Sequence, residues 1–156
     1  MAEQPTSGRL DAGRHAFPLR VYYEDTDAAG IVYYANYLRF AERARTEMMR
    51  AAGTEHGRLM GEAGVLWAVR RCTADYLSPA RLDDRLEVVS TVVDVGAARL
   101  DLMQAVWRRA DGTPPEELAR LSVRLACIDR VHGRATRLPP VLRTALEALV
   151  TPQSTL

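Results

Sequence analysis

Residues 21–52 read VYYEDTDAAGIVYYANYLRFAERARTEMMRAA, and this stretch decides the fold. A short β-prone segment around Phe17 to Tyr23 leads into it. Residues 24–30, with their acidic side chains, Thr26 and Gly30, then read as a turn. A helix is predicted over residues 34–52, stopping before Gly53. Tyr37, Phe40, Ala41, Ala44, Met48 and Ala51 recur at spacings of three and four and make one apolar stripe. Arg39, Glu42, Arg43, Thr46, Glu47 and Arg50 fall on the other faces, with Arg43 and Glu47 four apart. At the rise of an α-helix this element is about 28 Å long, the width of a small domain.

Downstream the hydrophobic period changes from that of a helix to that of a strand. Segments 66–76, 85–95, 99–108 and 118–130 are predicted strands. The last is the clearest, because Leu121, Val123, Leu125 and Cys127 alternate with Arg120, Ser122 and Arg124. Asp111-Gly112 ahead of Thr113-Pro114-Pro115 marks a hairpin connection, and Gly96-Ala97-Ala98 a second turn. A short helix is predicted over residues 140–149, after the break at Pro139-Pro140. One strand, one long helix and four consecutive strands imply an α+β domain, an antiparallel sheet of about five strands with the helix on one face. One helix does not cover such a sheet, which points to a partner subunit. Residues 1–17 lack periodicity and read as a flexible tail, residues 18–150 as the domain, and 151–156 as a C-terminal tail.

Composition narrows the function classes. The chain has 156 residues, and Lys+Arg at 21 nearly balances Asp+Glu at 20, a formal net charge of +1. A nucleic-acid binder normally carries a basic excess, so no nucleic-acid partner is expected. Every basic residue is Arg; without Lys there is neither Schiff-base chemistry nor a P-loop lysine. Cys72 and Cys127 form no CxxC pair and are expected to be buried small hydrophobes. His15, His56 and His132 are scattered, and no role is assigned to His56. No metal and no organic cofactor are expected. No apolar run is long enough for a membrane span, and the first residues lack a signal-peptide core, so cytoplasmic residence is expected.

The loop over residues 24–30 is where chemistry is concentrated. It supplies carboxylates at Asp25 and Asp27 and small residues that let a ligand approach the backbone. It also stands before a helix N-terminus, whose free N–H groups suit an oxyanion. On spacing alone the same residues also suit a plain turn in which an Asp caps backbone N–H groups. A Mg²⁺ site at Glu24, Asp25 and Asp27 is a third reading, though no further ligands are evident.

The run from Val21 to Phe40, and its continuation Glu42-Arg43-Ala44-Arg45-Thr46-Glu47, resemble the signature of hotdog-fold acyl-CoA thioesterases. Within that superfamily they are similar to the YbgC group, the Tol–Pal-associated thioesterases, and to the 4-hydroxybenzoyl-CoA thioesterases of the Pseudomonas type. Residues 69–84, VRRCTADYLSPARLDD, look like the same family. The resemblance implies a hotdog fold, a sheet wrapped around one central helix, with dimers or tetramers whose active sites lie at subunit interfaces. It implies an acyl-CoA substrate and no cofactor. It places the catalytic carboxylate at Asp27, as nucleophile or general base, and the carbonyl-polarising backbone N–H at Tyr34. Asp25 receives no catalytic role and is expected to be structural. YbgC members usually have His where this chain has Tyr34, whereas the 4-hydroxybenzoyl type has Tyr, which makes an aromatic acyl group more plausible.

Tyr33 and Tyr37 are candidates to shape the acyl pocket, with core packing the favoured role for Tyr37; Arg70, Arg71 and Arg99 are candidates to meet the CoA phosphates, each with a plain solvated charge as the alternative. A hotdog dehydratase is disfavoured because no His lies near the loop to complete an acid–base pair. A non-catalytic acyl-CoA-binding or scaffold protein of an envelope complex is the alternative outside enzymology, and association with Tol–Pal partners stays open.

Overall fold

Six antiparallel strands make one sheet in the order β1-β2-β4-β5-β6-β3. The strands are β1 (Arg9–Asp11), β2 (Arg14–Arg20), β3 (Val65–Tyr76), β4 (Arg85–Val95), β5 (Arg99–Ala110) and β6 (Thr113–Asp129). Helices α1 (Asn36–Ala51), α2 (His56–Ala63) and α3 (Pro140–Glu147) complete the fold. The structure, a computed structural model, describes residues 1–52 and 56–150, and only the backbone of His56. The expected stop at Gly53, the side chain of His56 and the C-terminal tail over residues 151–156 lie outside the described residues.

The period-2 pattern buries one face of each central strand. Leu86, Val88 and Val92 of β4, Leu100, Leu102 and Val106 of β5, and Leu121, Val123 and Leu125 of β6 form that face. Helix α1 lays Tyr37, Phe40, Ala41, Ala44 and Met48 onto it, all buried. Ala41 and Ala44 are fully buried, and their small side chains let the helix backbone approach the sheet. Each large side chain buried there is worth about 1.5–3 kcal/mol, enough to fix the helix against β2, β4 and β5. Gly112, at φ +72°, takes the left-handed position of the turn joining β5 to β6.

One polar cluster sits inside this interface. Gln104 is fully buried and donates from Nε2 to the Ala41 carbonyl and to Ser90 Oγ, each at 2.9 Å. Its Oε1 accepts from Arg45 Nη1 at 3.0 Å. The amide thus meets partners on both ends, as a buried amide must.

Four expectations change. The sheet has six strands rather than about five. Ordered strand begins at Arg9, not near Phe17, because Arg9–Asp11 and Arg14–Arg20 form a hairpin that pairs along β4, from Arg14 opposite Thr91 to Arg20 opposite Arg85. Helix α2 is additional; Gly57 and Gly61 weaken its sequence signal. Cys127 is buried as expected, but Cys72 is exposed. It lies on β3, the edge strand, which α1 meets where the Tyr37 and Tyr76 rings lie 5.6 Å apart.

That edge is the open side of the molecule. Val69 is 55% exposed and Tyr76 46%, unusual values for apolar residues on a strand. Among the described residues no strand pairs beyond β3, so its outer N–H and C=O groups are available to a further strand.

Candidate active site

The acidic loop is a small hairpin closed at the sheet's end. Thr26 bridges Val32, and Ile31 bridges Arg81. Inside it the Asp27 N–H donates to the Ile31 carbonyl at 2.9 Å, and Gly30 N–H to the Asp27 carbonyl at 3.0 Å. Gly30 sits at φ +79°, a left-handed conformation that a side chain would strain although the space around it is open.

Asp25 and Asp27 divide the work. Asp25 is buried; its Oδ2 accepts the Tyr22 N–H at 2.8 Å. Its carbonyl accepts both the Tyr33 N–H and Asn36 Nδ2, each at 2.9 Å. Asp25 therefore binds the loop to the start of α1. Asp27 is exposed, and its Oδ1 accepts from Ala29 N–H at 2.9 Å and Ile31 N–H at 3.4 Å. This is an Asx turn, so the turn role read in the sequence is real. It occupies one oxygen only; Oδ2 has no partner among the described residues.

The helix start leaves two donors. The N–H groups of Asn36, Tyr37 and Leu38 reach back to the carbonyls of Tyr33, Tyr34 and Ala35. The Tyr33 N–H is taken by Asp25. Tyr34 and Ala35, just ahead of Asn36, have N–H groups with no acceptor among the described residues. At the positive end of a helix such donors suit an oxyanion. The three carboxylates Glu24, Asp25 and Asp27 do not gather as a metal-ligating set, since Asp25 turns inward while Asp27 serves its own loop.

Aromatic rings surround this corner. Tyr33 and Tyr34 are exposed with centroids 4.9 Å apart, and the Tyr34 hydroxyl beside it raises the pKa of Tyr33 above its ordinary value. Tyr34 meets Tyr76 edge-on at 6.0 Å. Tyr37 behaves differently: it is 3% exposed, its hydroxyl oxygen accepts the Ala80 N–H at 3.0 Å, and burial raises its pKa. It holds the residues after β3 against α1 and packs in the core.

The arginine candidates separate. Arg70 and Arg71 are exposed in the middle of β3, at a bulge between Val69 and Arg71. Arg99 lies at the far end of β5, pairing with Asp94 and, at 3.2 Å, with Asp101; within one chain it does not approach the loop. Arg81, which sequence reasoning passed over, is exposed directly beside Ile31. The β-bridge, together with the Val32 N–H donating to the Ala80 carbonyl at 2.9 Å, brings it to the loop. Its presence in the second family-like segment was the one signal available.

Comparison with known proteins accords with this geometry. The model of the thioesterase-like superfamily matches residues 21–146. An acyl-CoA thioesterase YbgC of Haemophilus influenzae is 37% identical over 140 residues, covering 90% of this chain and 98% of that protein. An acyl-CoA thioester hydrolase YbgC of Escherichia coli is 42% identical over 123 residues, 79% of this chain and 88% of that protein. In structure, a 4-hydroxybenzoyl-CoA thioesterase variant complexed with 4-hydroxybenzoyl-CoA superposes with TM-score 0.78 at 20% identity, covering 85% of this chain and 98% of that one, which shows a shared fold. The chain belongs to the thioesterase-like superfamily, and within it stands with the YbgC acyl-CoA thioesterases.

Proposed function

We propose that this protein hydrolyses acyl-CoA thioesters to the free acid and CoA, with Asp27 as the reacting carboxylate. The observation that carries this reading is that Asp27 Oδ2 and the N–H groups of Tyr34 and Ala35, all without partners among the described residues, lie on one short connection. The thioester carbonyl oxygen would lie against those N–H groups, which stabilise the developing oxyanion by about 3 kcal/mol per donor. Asp27 either attacks the carbonyl carbon, giving a mixed anhydride and the CoA thiolate, or takes a proton from the attacking water. In both routes the C–S bond breaks and CoA leaves as thiolate. Tyr33 and Tyr34 border the entry, and Arg81, with Arg70 and Arg71, provides positive charge for the CoA phosphates.

A second copy of the chain completes the assembly in this reading. The unpaired β3 edge and its exposed Val69 support a homodimer joined along that strand. Sedimentation should show a dimer or a dimer of dimers. Both cysteines are free, which fits the reducing cytoplasm. No helix among the described residues is long and apolar enough to cross a membrane. Tol–Pal association is an expectation of the resemblance that co-purification would test.

The test of the activity is thiol release from a panel of short, long and aromatic acyl-CoAs, comparing wild type with Asp27→Asn. Turnover by wild type and a loss of at least about 100-fold in the variant supports the reading. Binding of CoA esters without any release would make the protein a binding module on a thioesterase scaffold.

A further inference from the structure

The polar cluster under α1 is not closed. Arg45 lies seven residues after Leu38 on the same flank of α1, is partly buried, and spends one bond on Gln104 Oε1. Its remaining guanidinium protons have no acceptor among the described residues. Glu42, three residues earlier, favours its charge without forming an ion pair with it, and burial works against that charge. A cation held this way needs water or a ligand acceptor beside it.

Register places this group in relation to the site. Gln104 pairs with Leu121, and Leu121 with Ala74 of β3. The Ala74 row lies one step from Tyr76, whose ring meets Tyr34 at the catalytic corner, and one step from Cys72. At strand spacing those rows are about 7 and 13 Å from Tyr76. Along this path Tyr34, Leu38, Val69, Cys72 and Tyr76 are all exposed in the single chain, a largely apolar strip leading from the helix N-terminus towards Arg45. The bond to Gln104, whose row continues through Leu121 to Ala74, sets the guanidinium over this part of the sheet.

We infer that Arg45 is a specificity-determining residue, the polar end wall of an acyl groove between α1 and β3 that selects acyl groups carrying a carboxylate at the end remote from the thioester. The inference rests on the thioesterase reading and names its substrate class. An alkyl end pressed against Arg45 would strip water from a cation and return no hydrogen bond. A carboxylate would return charge-assisted bonds to a planar donor pair. The role is one of recognition; the bonds made and broken at the thioester are unchanged.

The experiment compares kcat/KM for matched thioesters, adipoyl-CoA against hexanoyl-CoA and suberoyl-CoA against octanoyl-CoA. Wild type, Arg45→Met and Arg45→Gln are measured, the last retaining a donor towards Gln104. Wild type should favour one dicarboxylic member by about tenfold or more, the size expected for a hydrogen-bonded charge. Added salt should erode that preference and leave the alkyl rates unchanged, a readout that needs no variant to fold. Arg45→Met should reverse the ratio, mainly through KM, and Arg45→Gln should bring it near unity. A wild-type preference for the alkyl member of both pairs, or a ratio indifferent to both substitutions, overturns the inference and leaves the thioesterase reading standing. A shift in dimer dissociation with unchanged preference would assign Arg45 to the subunit interface and likewise overturn it. If wild type hydrolyses none of these thioesters or any of the wider panel, the thioesterase reading falls, and this inference with it.

Discussion

The side-chain amide of Asn36 donates to the backbone carbonyl of Asp25 at 2.9 Å, and both residues are buried. This bond ties the first residue of α1 to the loop that carries Asp27. The same carbonyl holds the Tyr33 N–H, so one acceptor sets where Tyr34 begins. Asn36→Ala removes the bond and leaves the carbonyl with one partner. We expect a stability loss of about 1–2 kcal/mol and a larger proportional fall in kcat than in substrate affinity. Urea unfolding and steady-state kinetics on the same preparation check both.

Asp27 has two separable roles, and two substitutions distinguish them. Asp27→Asn keeps an oxygen for the Ala29 and Ile31 N–H groups and should unfold at nearly the wild-type temperature, although turnover collapses. Asp27→Ala loses the Asx turn as well and should cost about 1 kcal/mol in addition. Equal melting temperatures for the two variants would show that the Oδ1 contacts do not hold the loop.

Gln104 is the pivot of the buried cluster. Gln104→Leu strands Ser90 Oγ and removes the partner of Arg45, at an expected cost of about 2–4 kcal/mol. Pairing it with Ser90→Ala removes the stranded hydroxyl, so the double variant should lose less than the sum of the singles. Chemical denaturation of all three proteins measures the difference.

His15 predicts a pH dependence. It is fully buried on β2, its Nε2 lies 2.6 Å from the Ser7 carbonyl, and Nδ1 has no partner among the described residues. Burial lowers its pKa below 6.5, an effect that the Ser7 carbonyl and Glu47 of α1 partly offset. The unfolded chain then takes up a proton near pH 6.5 that the folded chain refuses. Its contribution to stability is therefore full above that value and declines as pH falls towards the depressed folded pKa, by at most about 1.4 kcal/mol per pH unit. His15→Gln, which does not titrate, should flatten the stability profile as pH falls below about 6.5.

Arg81 is the cation nearest the loop by backbone pairing. Arg81→Ala should raise KM for CoA thioesters about three- to fivefold and weaken its salt dependence, with kcat unchanged, the size of an exposed ion pair. An unchanged KM at low salt would remove Arg81 from the CoA site.

Much of the fold was legible because it is local. The apolar stripe from Tyr37 to Met48 and the alternation in β4, β5 and β6 are set by helix and strand periods, which sequence displays directly. The hairpin at Arg9–Arg20 was not legible. Gly8, Gly13 and Pro18 interrupt its pattern, and its strand character comes from pairing with β4, some seventy residues away. Helix α2 was hidden for a related reason, eight residues with two glycines relying on tertiary packing.

By itself the sequence determined the α+β class, the long helix and the acidic turn ahead of it, while Asp27 was singled out as the reactive candidate by the family resemblance alone. These depend on residues close together in the chain, where side-chain chemistry and backbone period decide the conformation. Only the tertiary structure decided which Asp faces inward, which helix-start N–H groups lack acceptors among the described residues, and that Arg99 belongs to the far end of β5. It alone brought Arg81 to the loop and Arg45 to Gln104. Each of those facts is a meeting of residues distant in sequence, set by strand order and register, which no local pattern encodes.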